Sequence, residues 1–256
     1  MSLKENSSEK RKYWDKRAAA YNKLSWVKNK TLSVIADEAG QYNKCLDLGC
    51  GTGAVLKTLI SLNGDAEYVG IDISDSMSKD HELYQVKNID LDILTPEDII
   101  KISPDLVTAR MVMHHITNPG ELVNVLHSGL DNNAKFILCE GVVPSSDGEI
   151  VDWYTEMFKY KEKRHTFLPE TLLSLFDQEK WDVKLQKVVT RDNSLSNWIN
   201  NSGISADNQP IIRDMHFDAP ESVVRAYNFK RTTSGDILMD WEFVILTATV
   251  KSNFAM

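Results

Sequence analysis

Cys45-Leu46-Asp47-Leu48-Gly49-Cys50-Gly51-Thr52-Gly53 reads as an apolar strand running into three alternate glycines. A helix over Ala54–Leu62 is predicted to follow. Glycine permits the tight turn and lets the main chain approach a ligand closely. The free amides at the start of the helix complete a polar cradle. Gly49, Gly51 and Ala54 also scan as GxGxxA, close to the dinucleotide fingerprint. Asp47 argues against that reading, because a carboxylate at the strand end repels a pyrophosphate and suits a cationic ligand. The next strand ends in Gly70-Ile71-Asp72, where Asp72 can accept hydrogen bonds from both hydroxyls of a ribose. Dinucleotide sites use the same device, so Asp72 does not discriminate.

Outward from this run, strands and helices alternate. Strands are predicted at Lys44–Leu48, Glu67–Ile73, Leu83–Leu91, Asp105–Ala109 and Ala134–Glu140. Helices are predicted at Trp14–Tyr21 and Thr31–Ala39, and after Asn118, with Pro119 in the first turn and Glu121 placed to complete a capping box. Such alternation means a parallel sheet covered on both faces. After Gly141 the rhythm changes. Ile150, Trp153, Tyr154, Met157 and Phe158 form one helical stripe, and Pro169–Phe176 is another helix. Trp181–Thr190 and Ile237–Val250 read as strands, with polar, partly helical sequence at 191–235 between them. No second mononucleotide-binding half is present. The expected organisation is a disordered tail at 1–11 and a single domain at 12–250. Its cofactor half is 12–145, its substrate and lid elements are 146–180 and 191–235, and its closing strands are 181–190 and 237–250.

The 256 residues carry a formal charge of −8. An overall basic field that would hold a polyanion is absent, which makes nucleic acid an unlikely partner. Cys45, Cys50 and Cys139 form neither a disulfide framework nor a zinc motif, so reduced thiols and a cytoplasmic location are expected, and no metal site. No apolar run reaches the roughly 18 residues of a membrane span.

The chain resembles the class I S-adenosylmethionine (SAM) dependent methyltransferases. The resemblance rests on Asp47 to Gly53, on Gly70-Ile71-Asp72, and on Met111-Val112-Met113-His114-His115 after the fourth strand. It covers residues 12–145, and the strand at 237–250 looks like the family's antiparallel last strand. Within the family it looks most like the small-molecule group that includes ubiquinone and menaquinone C-methyltransferases. The resemblance implies a Rossmann-like, seven-stranded, mostly parallel sheet with helices on both faces and a helical lid insertion. It places Gly49, Cys50, Gly51 and Gly53 along the methionine and ribose of SAM, and Asp47 toward its ammonium. Asp72 would hold the ribose, with Ile73 and Met77 on the adenine. Asp90 and Asp92 compete for the adenine amino group. Asp92 is preferred, because Ile93-Leu94 follow it as in the family. Ala109 and Arg110 would close the pocket. The segment Tyr13–Tyr21 resembles the family's first helix, so Arg17 would pair with the SAM carboxylate and Tyr21 would cover the sulfonium.

Methyl transfer from a sulfonium is an in-line displacement in which alignment supplies much of the rate. A general base is needed only for a protonated nucleophile. His115 is the first candidate, ahead of His114, and Glu140 at the end of strand five is another. The basic run Lys159, Lys161, Lys163, Arg164 and His165 complements a helix C-terminus, while Arg164 or His165 could also meet an anionic substrate. Tyr154 is expected in the acceptor wall, with Glu140 and His115 at its floor. The expected activity is methylation of a small anionic or quinone-like acceptor, releasing S-adenosylhomocysteine. The alternatives are a SAM-binding sensor or scaffold without turnover and, more remotely, an RNA-modifying methyltransferase.

Overall fold

The structure, a computed structural model, describes residues 3–77, 82–162 and 165–252. Helices α1 (Leu3–Tyr21) and α2 (Thr31–Ala39) precede β1 (Lys44–Leu48), α3 (Ala54–Ile60), β2 (Glu67–Ile71) and β3 (Gln85–Lys87). Next come α4 (Pro96–Ile102), β4 (Leu106–Arg110), α5 (Pro119–Gly129) and β5 (Lys135–Val142). The C-terminal part holds α6 (Gly148–Lys159), α7 (Pro169–Leu173), β6 (Trp181–Ser194), α8 (Leu195–Asn201), α9 (Asn208–Phe217), α10 (Glu221–Ala226), β7 (Lys230–Arg231) and β8 (Ile237–Val250). The sheet runs β3-β2-β1-β4-β5-β8-β6, with β7 on β8. Strands β1 to β5 are parallel, and β8 is antiparallel to both β5 and β6. The chain leaves β1 toward β2 on one side and returns to β4 on the other. That switch opens a crevice at the carboxyl ends of β1 and β4, where sheets of this kind take ligands.

The alternation of side chains builds two cores. Leu46, Leu48, Val107, Ala109, Phe136 and Leu138 face one side, with buried residues of α4 and α5. Cys45, Leu106, Ile137, Cys139, Phe243 and Ile245 face the other, against α2 and α3. Each large side chain so buried contributes about 1.5–3 kcal/mol. A third core, made by α6, α8, α9 and α10 with Leu24, Val27 and Ile237, stands apart from the other two.

Three expectations are corrected. Residues 3–11, expected to belong to a disordered tail, are part of α1. Polar bonds hold that helix, since Ser7 Oγ donates to Asp90 at 2.6 Å, Arg11 to Asp75 at 3.0 Å, and Lys10 to Asp92. The expected seven-stranded path is present, and a two-residue strand, β7, pairs with β8 off that path. The third strand shrinks to Gln85–Lys87, where only Val86 is half-buried. Asn118 caps α5 by accepting from the Glu121 amide at 3.2 Å, but the Glu121 side chain returns no bond among the described residues.

A full capping box occurs instead on α4. Thr95 Oγ1 accepts from the Asp98 amide at 3.3 Å, and Asp98 Oδ2 accepts from the Thr95 amide at 3.1 Å. Thr95→Ala is expected to cost about 1 kcal/mol in urea unfolding. An unchanged midpoint would show that the cap carries no weight.

Candidate functional site

At the switch the β1 strand ends in the glycine loop, which β2 clamps. Asp72 accepts from the Gly51 amide and from the Ser74 amide, both at 2.8 Å. The Cys50 amide bonds Ile71 O at 3.0 Å. Gly49 and Gly53 have φ of +63° and +76°, the left-handed region that glycine reaches without strain. A Cβ at Gly53 would lie 2.8 Å from Cζ of Tyr84, so the loop is packed from below as well as bonded.

Above it lies a cavity walled by Gly49, Gly51, Asp72, Ile73 and Met77 on one side. Ile89, Asp90, Leu91 and Val112 form the other. Burial pushes the Asp72 carboxyl above the usual range, although its two amide donors pull the other way. Asp47 lies beneath the loop rather than in this wall. It is fully enclosed, accepts from Thr108 Oγ1 at 2.7 Å, and burial raises its pKa to about 7. The register explains the contact, because Asp47 and Thr108 are direct partners across β1 and β4.

The preference for Asp92 is overturned. Asp90 lines the cavity, whereas Asp92 accepts from Thr117 N at 2.8 Å and Thr117 Oγ1 at 2.6 Å and pairs with Lys10. Ile93 is 46 % exposed and outside the wall. Cys50 and Gly53 shape the loop from behind, and Ala109 is buried in the sheet core. Arg110 points to α2, donating to Thr31 Oγ1 at 2.9 Å and Asn29 Oδ1 at 3.1 Å. None of Cys50, Gly53, Ala109 and Arg110 reaches the wall of the empty cavity.

A second cavity adjoins the first, and Trp14, Tyr21, Met111 and His115 line both. Met111 holds φ of +57°, unusual for a residue with a side chain. Its Sδ accepts from the Gly141 amide at 3.2 Å. The second cavity is aromatic: Trp153, Tyr154, Phe158, Trp198, Tyr227 and Trp241 line it. Helix α6 and the 191–235 segment therefore meet over one edge of the sheet.

Arg17 belongs to this second cavity and not to the first. Its guanidinium stands 4.8 Å from the Trp14 ring, donates to Glu162 Oε2 at 2.6 Å, and also donates to Ser202 O. Lys161 pairs with the other oxygen of Glu162. The expected basic run thus divides: Lys159 is exposed, whereas the Lys161 and Glu162 side chains are 7 % and 5 % exposed. Arg164 lies outside the described residues. His165 is turned away from the cavity, with Nε2 2.9 Å from Ile116 O and its amide bonded to His114 O. Glu140 is not at the cavity floor either. It is fully buried, accepts from the Met113 amide at 2.7 Å, and holds His114 Nδ1 at 2.7 Å. His114 lines the second cavity, and its ring centre lies 4.0 Å from that of His115, with the planes tilted by 55°.

His114, His115 and Glu162 bring their ligand atoms within 4.8 Å of one another, the spacing of a loose metal site. Arg17 and Lys161 already occupy Glu162, so a dication there would face two cations. Sequence reading missed Lys10, Trp14, Met111 and Glu162 as wall residues. Lys10, Trp14, Arg17 and Tyr21 recur at spacings of four, three and four, one face of a helix. That signal was readable.

Residues 46–136 match the family described as a methyltransferase domain. Among curated proteins, none matches by sequence. The YcgJ protein of Bacillus subtilis is similar in structure at 16 % identity and TM-score 0.72, over 87 % of this chain and 99 % of that one. A candidate methyltransferase from Bacillus halodurans aligns at 14 % identity and TM-score 0.70, over 87 % and 98 %. A SAM-dependent methyltransferase from Archaeoglobus fulgidus aligns at 17 % identity and TM-score 0.54, over 86 % and 91 %. The fold is that of Rossmann-like methyltransferases, and among the described residues no helix is long and apolar enough to cross a membrane. Over residues 46–136 the chain is thus similar to a methyltransferase domain, within a Rossmann-like fold.

Proposed function

We propose that the chain moves the methyl group of SAM from the glycine-loop cavity to a small molecule held in the aromatic cavity. The observation that carries this reading is the shared wall of Trp14, Tyr21, Met111 and His115 between two adjoining cavities. A sulfonium on one side and a nucleophile on the other meet there for in-line displacement, and proximity supplies much of the rate. Gly49 and Gly51 let the main chain approach the cofactor, Asp72 takes the ribose hydroxyls, and Ile73 and Met77 hold the adenine with Asp90 at its edge. Helices α6, α8, α9 and α10 keep water from the transfer.

For a nucleophile that arrives protonated, His114 is the base. Glu140 accepts from Nδ1–H and so presents Nε2 as the proton acceptor, the arrangement in which a buried carboxylate fixes an imidazole's tautomer. His115 forms part of the transfer wall. Tyr154 contributes to the acceptor wall.

The test is release of S-adenosylhomocysteine from SAM on addition of a fractionated metabolite extract. Release that depends on a fraction is expected, and His114→Gln should lower it about a hundredfold. Binding of SAM with no release from any fraction would favour a SAM-binding sensor and overturn the enzyme reading.

A further inference from the structure

We infer that the acceptor carries an acidic group, which docks where Arg17, Lys161 and Ser202 meet, with its apolar body among the rings. The inference rests on the two-cavity reading above. Three charges are buried together at this end of the aromatic cavity: Arg17, Lys161 and Glu162, whose side chains are 7 %, 7 % and 5 % exposed. Two cations share one carboxylate, which leaves a positive excess among the described residues. Buried charge is costly unless paired. The other acidic wall residue, Glu242, has Lys187 Nζ 2.8 Å from its Oε1, an ion pair in contact but without hydrogen-bond geometry, so its charge is balanced from outside the wall.

A second, independent feature points the same way. Ser202 is 2 % exposed and lines the cavity, and its Oγ is buried with no hydrogen-bond partner. A buried hydroxyl left unsatisfied costs about 1–3 kcal/mol. Its carbonyl is fastened to Arg17, so hydroxyl and guanidinium sit on one anchor. An oxyanion would satisfy the hydroxyl and balance the excess charge. Arg17 Nε also lacks a partner, but it packs against Gly203, where a Cβ would lie 2.9 Å away, so the hydroxyl is the stronger indicator.

The body of the ligand follows from the walls. Lys161 Nζ sits 5.2 Å from the Phe158 ring centre and 5.5 Å from that of Trp198. The cation is thus set in aromatic surroundings, which suit an aromatic acid better than a sugar phosphate.

The test uses two fluorescent dyes that differ by one sulfonate, 8-anilinonaphthalene-1-sulfonate and N-phenyl-1-naphthylamine. Both are titrated into protein saturated with S-adenosylhomocysteine. The anionic dye is expected to bind at least tenfold tighter. Lys161→Met and Ser202→Ala should each weaken it at least threefold and leave the neutral dye unchanged. Glu162→Gln removes the competing carboxylate and should tighten the anionic dye at least threefold. Equal affinities, binding of neither dye, or weaker anionic binding in Glu162→Gln overturns the inference. Calorimetry with S-adenosylhomocysteine on the same samples separates the two failures. Retained cofactor binding leaves the methyltransferase reading standing, whereas its loss in the unaltered protein refutes that reading.

Discussion

Gly49→Ala is expected to lose about 2–5 kcal/mol of stability and most of its affinity for S-adenosylhomocysteine. Two costs combine. The φ of +63° is adverse to any residue with a Cβ, by about 1–2 kcal/mol. The new methyl would also lie 2.8 Å from Cβ of Val112, well inside contact distance. Overpacking of this kind costs about 1–3 kcal/mol. Val112 cannot yield freely, because it follows Met111, whose amide is bonded to Cys139 O at 2.8 Å. The damage therefore passes straight to the wall between the two cavities. Urea unfolding and calorimetry check both parts of the prediction. A variant with unaltered midpoint and affinity would show that the loop can shift to accept the methyl.

Asp47→Asn is expected to stabilise the protein in alkaline solution. Burial raises the Asp47 pKa from 3.8 to about 7, so the folded state holds a proton that the unfolded chain has released. The sign follows directly. Stability from this group is full below about pH 4, falls as pH rises, and is lost above about pH 7. The difference corresponds to about 4 kcal/mol at most. Asparagine abolishes that slope, so the variant should gain at pH 8 and nothing at pH 3.5. His216 acts in the opposite sense. Burial lowers its pKa from 6.5 to about 4, although Nδ1 donates to Ile212 O, which pulls the other way. Its contribution is present above pH 6.5 and fades toward pH 4, by about 3 kcal/mol. The two slopes oppose each other across one window, and Asp47→Asn should expose the acid weakness of α9. Melting curves from pH 4 to 8 test this, and a variant no more stable at pH 8 refutes the buried-charge account.

The sheet was legible because its central strands are short, nearly continuous apolar runs buried on both faces, as in Cys45–Leu48 and Phe136–Cys139. The glycine loop was legible because three alternate glycines at the end of an apolar strand mark a tight turn that needs positive φ, which all three adopt. Helix α4 was not read, although Thr95-Pro96-Glu97-Asp98 is a plain start signal. Its seven residues, about two turns, are too few for apolar periodicity to stand out. The site divides along the same line. Gly49, Gly51, Asp72, Ile73 and Met77 are placed by local chain geometry, and they line one cavity. Asp90 and Asp92 differ only in which way a short 3-10 turn faces, and the contact that decides it comes from Thr117, 25 residues away. Glu140 and His165 looked free to meet substrate, but each is consumed by a partner on the loop after β4. Arg17 looked like a cofactor ligand until α8 and the end of α6 supplied Glu162 and Ser202. Tertiary partners of this kind leave no trace in local spacing.

The position of β8 governs when the sheet can be completed. It lies between β5 and β6 and bonds both, yet it follows them in the chain by about a hundred and by about fifty residues. Until Ile237–Val250 has left the ribosome, β5 has a bare edge and Trp181–Ser194 has no neighbour to pair with. The half-made molecule presents open hydrogen-bonding rims for the whole time that α8, α9 and α10 are being synthesised, the condition under which strands pair wrongly. Assembly of the cofactor half can run ahead, since β1, β2 and β4 are near neighbours in sequence. The aromatic cavity cannot: Met239, Trp241, Glu242 and Phe243 of β8 are part of its lining. The glycine-loop cavity can thus form before the aromatic one as the chain emerges, and the second waits on the arrival of a single strand.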